Sequence, residues 1–356
     1  MCRIIELEQD ATPQMWDAYI KSHPQASIYH QFFYKSVIEN TYNHRSYYLV
    51  AINSDKNIIG VLPLFFINSF LFGKSLVSLP FCDYGGILAN SESIGQQLLQ
   101  KGIELSKRLK CSSFELRQTA EQKYIPINAQ DSSSSSFSVT TSKVRMRLNL
   151  PDSTDTLFTS FSAKLRSQIR KPQKEGCTAK SGGLELLDDF YDVFVHNMRD
   201  LGSPVHTKSL MKRMLQSDPE HTRLFVIYHN DIPAACSLVS GLNDTLVNPW
   251  ASFKRTYQKI APNMLLYWEM LSYAINKGYG SFDFGRSTPG EGTFKFKEQW
   301  GAVPEQLFWY NYCQSGQQES ESSTENKKEK FINIWRKLPL SVTKVCGPIL
   351  RRHIHL

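Results

Sequence analysis

The sequence is poor in the signatures that assign a protein quickly. Its seven cysteines, Cys2, Cys82, Cys111, Cys177, Cys236, Cys313 and Cys346, are odd in number, widely scattered and nowhere arranged as CxxC. That argues against a disulfide framework or a structural zinc site and for a reducing compartment. No HExxH occurs, nor any run of His, Asp and Glu at ligand spacing, so no metal is expected. A Gly-x-Ser-x-Gly elbow for a serine nucleophile is missing, as is the G-x-x-x-x-G-K-[ST] loop of nucleoside triphosphate sites. No uninterrupted apolar run approaches the ~20 residues of a membrane helix. The most apolar stretch, Ile58 to Phe81, is broken by Pro63, Asn68, Ser69, Gly73, Lys74 and Ser75. The opening residues, MCRIIELEQD, lack the charged-then-apolar layout of a signal peptide. The expectation is a cytoplasmic protein.

What is present is a chain of 356 residues, 41% apolar and 21% charged. It is long enough for two domains and too apolar to be disordered throughout. Lysine and arginine outnumber aspartate and glutamate by 41 to 33, a formal net charge of +8, which favours an anionic partner without naming one. Two low-complexity stretches punctuate the chain. DSSSSSFSVTTS, from Asp131 to Ser142, reads as a long surface loop, and SGQQESESSTEN, from Ser315 to Asn326, as a linker.

Between them a pattern recurs. Tyr47 to Ile52 and Ile58 to Phe66 read as a hairpin, followed by a helix at Ile94 to Leu109 and a strand at Ser113 to Arg117. Leu224 to Tyr228 and Pro233 to Ser240 read as a second hairpin, with a strand at Leu246 to Ala251, a helix at Pro262 to Lys277 and a strand at Ser281 to Arg286. The closing strands align as Ser-Phe-acid-apolar, first at Ser113 and again at Ser281. Duplication of one α+β unit accounts for this, with a boundary in the turn-forming LNLPDSTD near Leu150 to Asp155.

Several blocks carry a more specific likeness. ASIYH (Ala26 to His30), LVSLPFCDYGG (Leu76 to Gly86), FSAKLRSQIRKPQK (Phe161 to Lys174) and FDFGRSTPGEGTFKFKEQWG (Phe282 to Gly301) occur in that order. The chain resembles the FemAB-like acyltransferases, whose "SLPF…YGG" and "G-x-x-x-FK-x-x-[FW]-G" blocks these match. In detail it is most similar to the subgroup associated with exosortase (PEP-CTERM) and exopolysaccharide gene sets. The resemblance implies an α+β fold of two tandem GNAT-like domains with mixed sheets flanked by helices, here at 1–150 and 151–314. The linker would occupy 315–326 and a basic amphipathic tail 327–356. It implies transfer of an acyl or aminoacyl group to an amine of a peptidoglycan, other cell-envelope or exopolysaccharide precursor. No cofactor would be bound; the co-substrate would be an acyl-CoA, an acyl-carrier thioester or an aminoacyl-tRNA. A long heptad-patterned arm is not seen, nor a Q/R-x-x-G-x-G/A pyrophosphate loop, so the donor stays open. Two other readings stand beside it: a plain acetyl-CoA-dependent N-acetyltransferase, and a non-catalytic basic module that holds RNA or anionic lipid.

N-acyl transfer passes through a tetrahedral oxyanion and needs positive charge or N–H donors there, with a route for the amine's proton. Lys297, in the FK position between Phe296 and Trp300, suits the first role, with those two aromatics as substrate contacts. With Lys295 it would share a face if the segment were a strand. Asp283 and Asp83 are the candidate acid–base groups, and Tyr84 sits beside Asp83. Arg286 ends the strand before a glycine-rich loop whose Gly290 and Gly292 would let backbone amides approach an anionic donor. Lys164, Arg166 and Arg170 form a basic helical stretch for an anionic, diphosphate- or lipid-linked saccharide acceptor, or for tRNA. Pro172 is expected to kink or end that helix. His30 and His44 fall in the matched blocks, but each sits beside aromatics, where a hydrogen-bonded structural histidine is the simpler reading. In the tail, Phe331, Ile334, Trp335 and Leu338 fall at helical spacing. Two readings remain: peripheral membrane contact at the inner face of the cytoplasmic membrane, or packing onto the core.

Overall fold

The computed structural model describes residues 2–7, 11–70, 72–127, 136–313 and 329–354; the expected linker at 315–326 lies outside the described residues. The chain folds as two compact units. One comprises Met1–Val144, Glu305–Gln318 and His353–Leu356, the other Arg145–Pro304 and Glu319–Arg352.

The first unit runs β1 (Arg3–Glu6), α1 (Pro13–Ser22), α2 (Phe32–Tyr42), β2 (Arg45–Ile52), β3 (Ile58–Ser69), β4 (Gly73–Val77), β5 (Leu88–Ala89), α3 (Glu92–Arg108), β6 (Ser113–Gln118) and β7 (Ser136–Thr140). The second begins at β8 (Val144–Asn149) and continues through α4 (Thr154–Ser160), α5 (Ala163–Lys174), β9 (Cys177–Gly182), α6 (Leu187–Leu201), α7 (Lys208–Ser217), β10 (Thr222–His229), β11 (Ile232–Leu242), β12 (Thr245–Phe253), α8 (Pro262–Asn276), β13 (Ser281–Ser287), α9 (Gly292–Glu298) and β14 (Val303–Gln306). Strand β15 (Phe308–Cys313) then returns to the first sheet, and the chain closes with helix α10 (329–335) and α11 (Leu340–Arg351).

The duplication is visible strand by strand. One sheet has the order β1-β2-β3-β4-β6-β15-β7, with β5 against β3; the other has the order β14-β8-β13-β12-β11-β10-β9. In each, a strand, two helices and three antiparallel strands lead through a long helix to a strand that pairs in parallel. Parallel pairing needs such a crossover, and α3 and α8 provide it. Helix α8 is apolar on nearly every side and buried accordingly, from Met264 to Ile275. Helix α3 instead buries one stripe, Leu98, Leu99 and Leu105 among it, and Ser91 caps it by accepting the Ile94 N–H.

Three local expectations are corrected. The serine-rich stretch read as one long loop contains β7, because Phe137 and Val139 alternate with polar neighbours; Phe137 is buried against Phe114 and Tyr312. Its partner is β15, so the last strand before the linker serves the first sheet, although the sequence reading placed it in the second domain. Helix α5 runs on through Pro172 to Lys174. A proline in the final turn loses only one intrahelical bond, so the helix tolerates it.

Candidate functional site

The two parallel strand pairs begin alike and end differently. In the first unit Ser75–Val77 of β4 pair with Ser113–Glu115 of β6. In the second, Thr245–Val247 of β12 pair with Ser281–Asp283 of β13. The acid of the repeated Ser-Phe-acid motif occupies the last rung in both.

Beyond that rung the first unit is zipped shut. The Ser78 N–H donates to Glu115 O at 2.9 Å, the Arg117 N–H to Ser78 Oγ at 3.1 Å, and the Gly85 N–H to Arg117 O at 3.0 Å. The Arg117 guanidinium is buried, donating to Glu115 and to Cys82 O, with the Trp309 ring 4.9 Å away. The loop that closes this gap is LVSLPFCDYGG. It holds Leu79 and Phe81 at positive φ, 52° and 66°, a strained backbone state for such residues. Gly86 lies so close to Gln118 that an added Cβ would sit 2.5 Å from its side chain. In this loop Tyr84 is buried edge-on to Tyr29 at 5.8 Å, and the Asp83 carbonyl accepts the Trp309 indole N–H at 3.1 Å. His30 fastens the same loop. Its Nδ1 takes the Ser27 N–H, so its Nε2–H donates to Gly86 O at 3.1 Å. Burial pushes its pKa down to about 4, which keeps the ring neutral. His44 is buried and stacked on Phe81.

In the second unit β12 runs on to Phe253 and β13 to Ser287 with no further mutual pairing among the described residues. The strands part, leaving backbone along an opening. Its floor is fixed by Asp283, fully buried, whose carboxylate accepts the Gly285 N–H at 2.7 Å. This is an Asx-type turn, and its burial makes Asp283 a shaping group instead of a solvent-facing base. Lys297 is 8% exposed; its ammonium donates to Gly285 O at 3.0 Å and Arg286 O at 2.8 Å. It clamps the end of β13 and places a positive charge there. The segment that carries it is helical, so Lys295 and Lys297 do not share a face as a strand would require; Lys295 is exposed. Phe296 and Trp300 brace the helix: Phe296 meets Tyr267 at 5.0 Å, Trp300 meets Phe161 at 5.5 Å, and Tyr267 stacks on Phe284. Trp300 is fully buried and lines a pocket of about 380 Å³ together with Leu148, Thr156, Phe161 and Glu298. Arg286 is half-buried at the strand end, while Gly290, at φ 82°, and Gly292 are exposed in the following turn.

The basic helix is placed otherwise than its charge pattern suggests. Arg166 caps α4, donating to Thr159 O at 3.0 Å and Phe161 O at 2.7 Å, and Arg170 lies over the Phe158 ring at 5.0 Å. Both share a helical face, as their spacing requires, but that face is turned to α4. Lys164 is exposed, and Lys171 donates to Lys259 O.

A feature the sequence reading passed over is the start of α8. Its N-cap, Ala261, sits at φ 58° and offers no side-chain cap; Pro262 opens the helix. Arg255 and Lys259 are exposed in the loop from β12 that leads there, which makes this end of the opening electropositive. The signal was a proline before an apolar run preceded by basic residues, and it went unread because no glycine-rich loop marks it.

Among the described residues no group of His, Cys, Asp and Glu is placed to hold a metal ion. Residues 159–298, which span the opening, match the family described as Acetyltransferase (GNAT) domain. No curated protein matches the chain by sequence. Among solved structures, FemX superposes with a TM-score of 0.65 at 14% identity, over 88% of this chain and 98% of that one. L-PGS from Bacillus licheniformis gives 0.55 at 12%, over 90% and 96%. A tandem GNAT protein from the clavulanic acid biosynthesis pathway gives 0.53 at 11%, over 90% and 100%. At such identities the likeness speaks to fold. Residues 159–298 thus carry a GNAT acetyltransferase domain, within a chain that has the fold of two GNAT-like units.

Proposed function

We propose that the protein transfers an acyl or aminoacyl group from an activated ester or thioester to an amine of a cell-envelope or exopolysaccharide precursor. The observation that carries this reading is the opening between β12 and β13, with the Lys297 charge clamped at its rim. The edge of β12 beyond Val247, which no longer pairs with β13, offers backbone groups to an extended, amide-containing donor arm, much as it would to another strand. The electropositive start of α8 suits the donor's phosphates.

The amine lone pair attacks the acyl carbonyl carbon, and the C=O electrons move to oxygen. Collapse expels the thiolate or alkoxide, and the amine's proton leaves with that group or to water. Lys297 and Arg286 supply positive charge near the strand end where the oxyanion forms. The likeness to FemX and to L-PGS supports an acceptor in the cell envelope, while the likeness to the tandem GNAT protein supports a coenzyme A thioester as donor.

The test is a mass-spectrometric search for a new amide. Acyl-CoA thioesters and aminoacyl-tRNAs are offered as donors, amino sugars and peptide amines as acceptors. Enzyme-dependent amide is expected. Donor hydrolysis with no amide from any pairing, by protein shown to be folded, would overturn the reading.

A further inference from the structure

The C-terminal helices show two opposed faces. The inner one is seated on the second unit. Trp335 of α10 is 4% exposed, Arg336 donates to Leu201 O, and Ile332 lies against Gly202. On α11, Thr343 and Gly347 are buried, with Gly347 so close to Val205 that a Cβ would meet its side chain at 2.8 Å. The Arg351 Nε–H donates to His206 Nε2 at 3.0 Å. The expected single stripe of Phe331, Ile334, Trp335 and Leu338 is therefore divided, with Trp335 turned inward.

About half a turn away on α11, Val342, Val345 and Ile349 stand in solvent at 39%, 67% and 57% exposure. Their i, i+3, i+7 spacing makes one row. On α10, Ile334 at 63% and Phe331 at 38% are exposed too. These five are drawn from only twelve large apolar side chains exposed among the described residues, a concentration that scattered surface apolars do not produce. Lys330, Arg336, Lys337 and Lys344 are exposed among them. From 329 to 352 the sole acid is Glu329, against six lysines and arginines.

We propose that this face docks the protein on an anionic lipid surface. The apolar row would lie at the boundary of headgroups and acyl chains, with the lysines and arginine on lipid phosphates. Charge selects this occupant over a second copy of the chain. A two-fold contact would bring the same basic residues face to face, whereas each cation near an anionic leaflet raises partitioning about fivefold. Docking leaves the inner face seated, so it needs no unfolding of the tail. The proposal does not depend on which donor or acceptor the enzyme uses.

The experiment is co-sedimentation of the full chain with vesicles of phosphatidylcholine alone and of phosphatidylcholine with phosphatidylglycerol. Two variants accompany it: Val342→Ser/Val345→Ser/Ile349→Ser and Lys337→Glu/Lys344→Glu. The wild type should bind the anionic vesicles, weaken with added salt and ignore the neutral ones. The serine variant should bind at least about tenfold more weakly, with an unchanged thermal midpoint because its side chains face solvent. The charge-reversal variant should lose anionic-vesicle binding as well. Wild-type binding by either variant, equal binding to neutral vesicles, or a wild-type dimer that the serine variant splits would each overturn the proposal.

Discussion

Replacing Lys297 by methionine separates two jobs that one side chain performs. Methionine keeps the length and the apolar contacts but removes the ammonium that bridges Gly285 O and Arg286 O. Hydrogen bonds from a charged donor are worth about 1.5–3 kcal/mol each. Arg286 is half-buried, so water replaces part of the loss there, and the net cost should be about 2–4 kcal/mol. For a unit of this size that lowers the melting midpoint by about 5–15 °C. If the same charge stabilises the oxyanion, turnover should also fall by about 10²–10³. Lys297→Arg keeps the charge, but its planar fork cannot reproduce the ammonium's approach to both carbonyls, so it should recover more activity than stability. The assay is steady-state turnover well below both midpoints, with circular dichroism confirming that each variant is folded. An unchanged midpoint refutes the clamp. A lowered midpoint with wild-type turnover removes Lys297 from the chemistry.

Acid should weaken the first unit through His30. Its folded pKa of about 4 lies below the ordinary 6.5, so the unfolded chain binds the extra proton between these values. The stabilisation is complete above pH 6.5 and is lost as pH falls toward 4, about 3 kcal/mol in all; urea unfolding at the two ends measures it, and His30→Gln should shrink that pH dependence. Arg117→Met should destabilise by about 3–5 kcal/mol, since it takes the guanidinium from the buried Glu115 carboxylate. Adding Glu115→Gln should cost less than the sum of the single changes, which denaturant midpoints of the four proteins would establish.

The repeat was legible because it is written in strand periodicity and in a shared Ser-Phe-acid motif, and those are local properties. β7 was hidden because Phe137 and Val139 are its only apolar residues within a serine-rich stretch, and they matter only once β15 arrives from far along the chain. At Lys297 the motif drew attention to one short helix, and the structure places its ammonium on the carbonyls of Gly285 and Arg286. The contacts of Asp283, Arg166 and Arg170 were not legible. A charge pattern reports which residues lie on one face, and it is silent on whether carbonyls or an aromatic ring already occupy that face. Trp335 misled for a similar reason, since helical spacing defines a stripe without saying which side of the helix is seated.

The central claim is that the reacting donor occupies the opening of the second unit, while the matching gap in the first is closed by its own loop. Backbone hydrogen–deuterium exchange, with and without the donor that supports transfer, tests this most directly. The account predicts slowed exchange at residues 248–253 and 284–287, with residues 78–86 unchanged. Protection at 78–86 with none at 248–253 would contradict it.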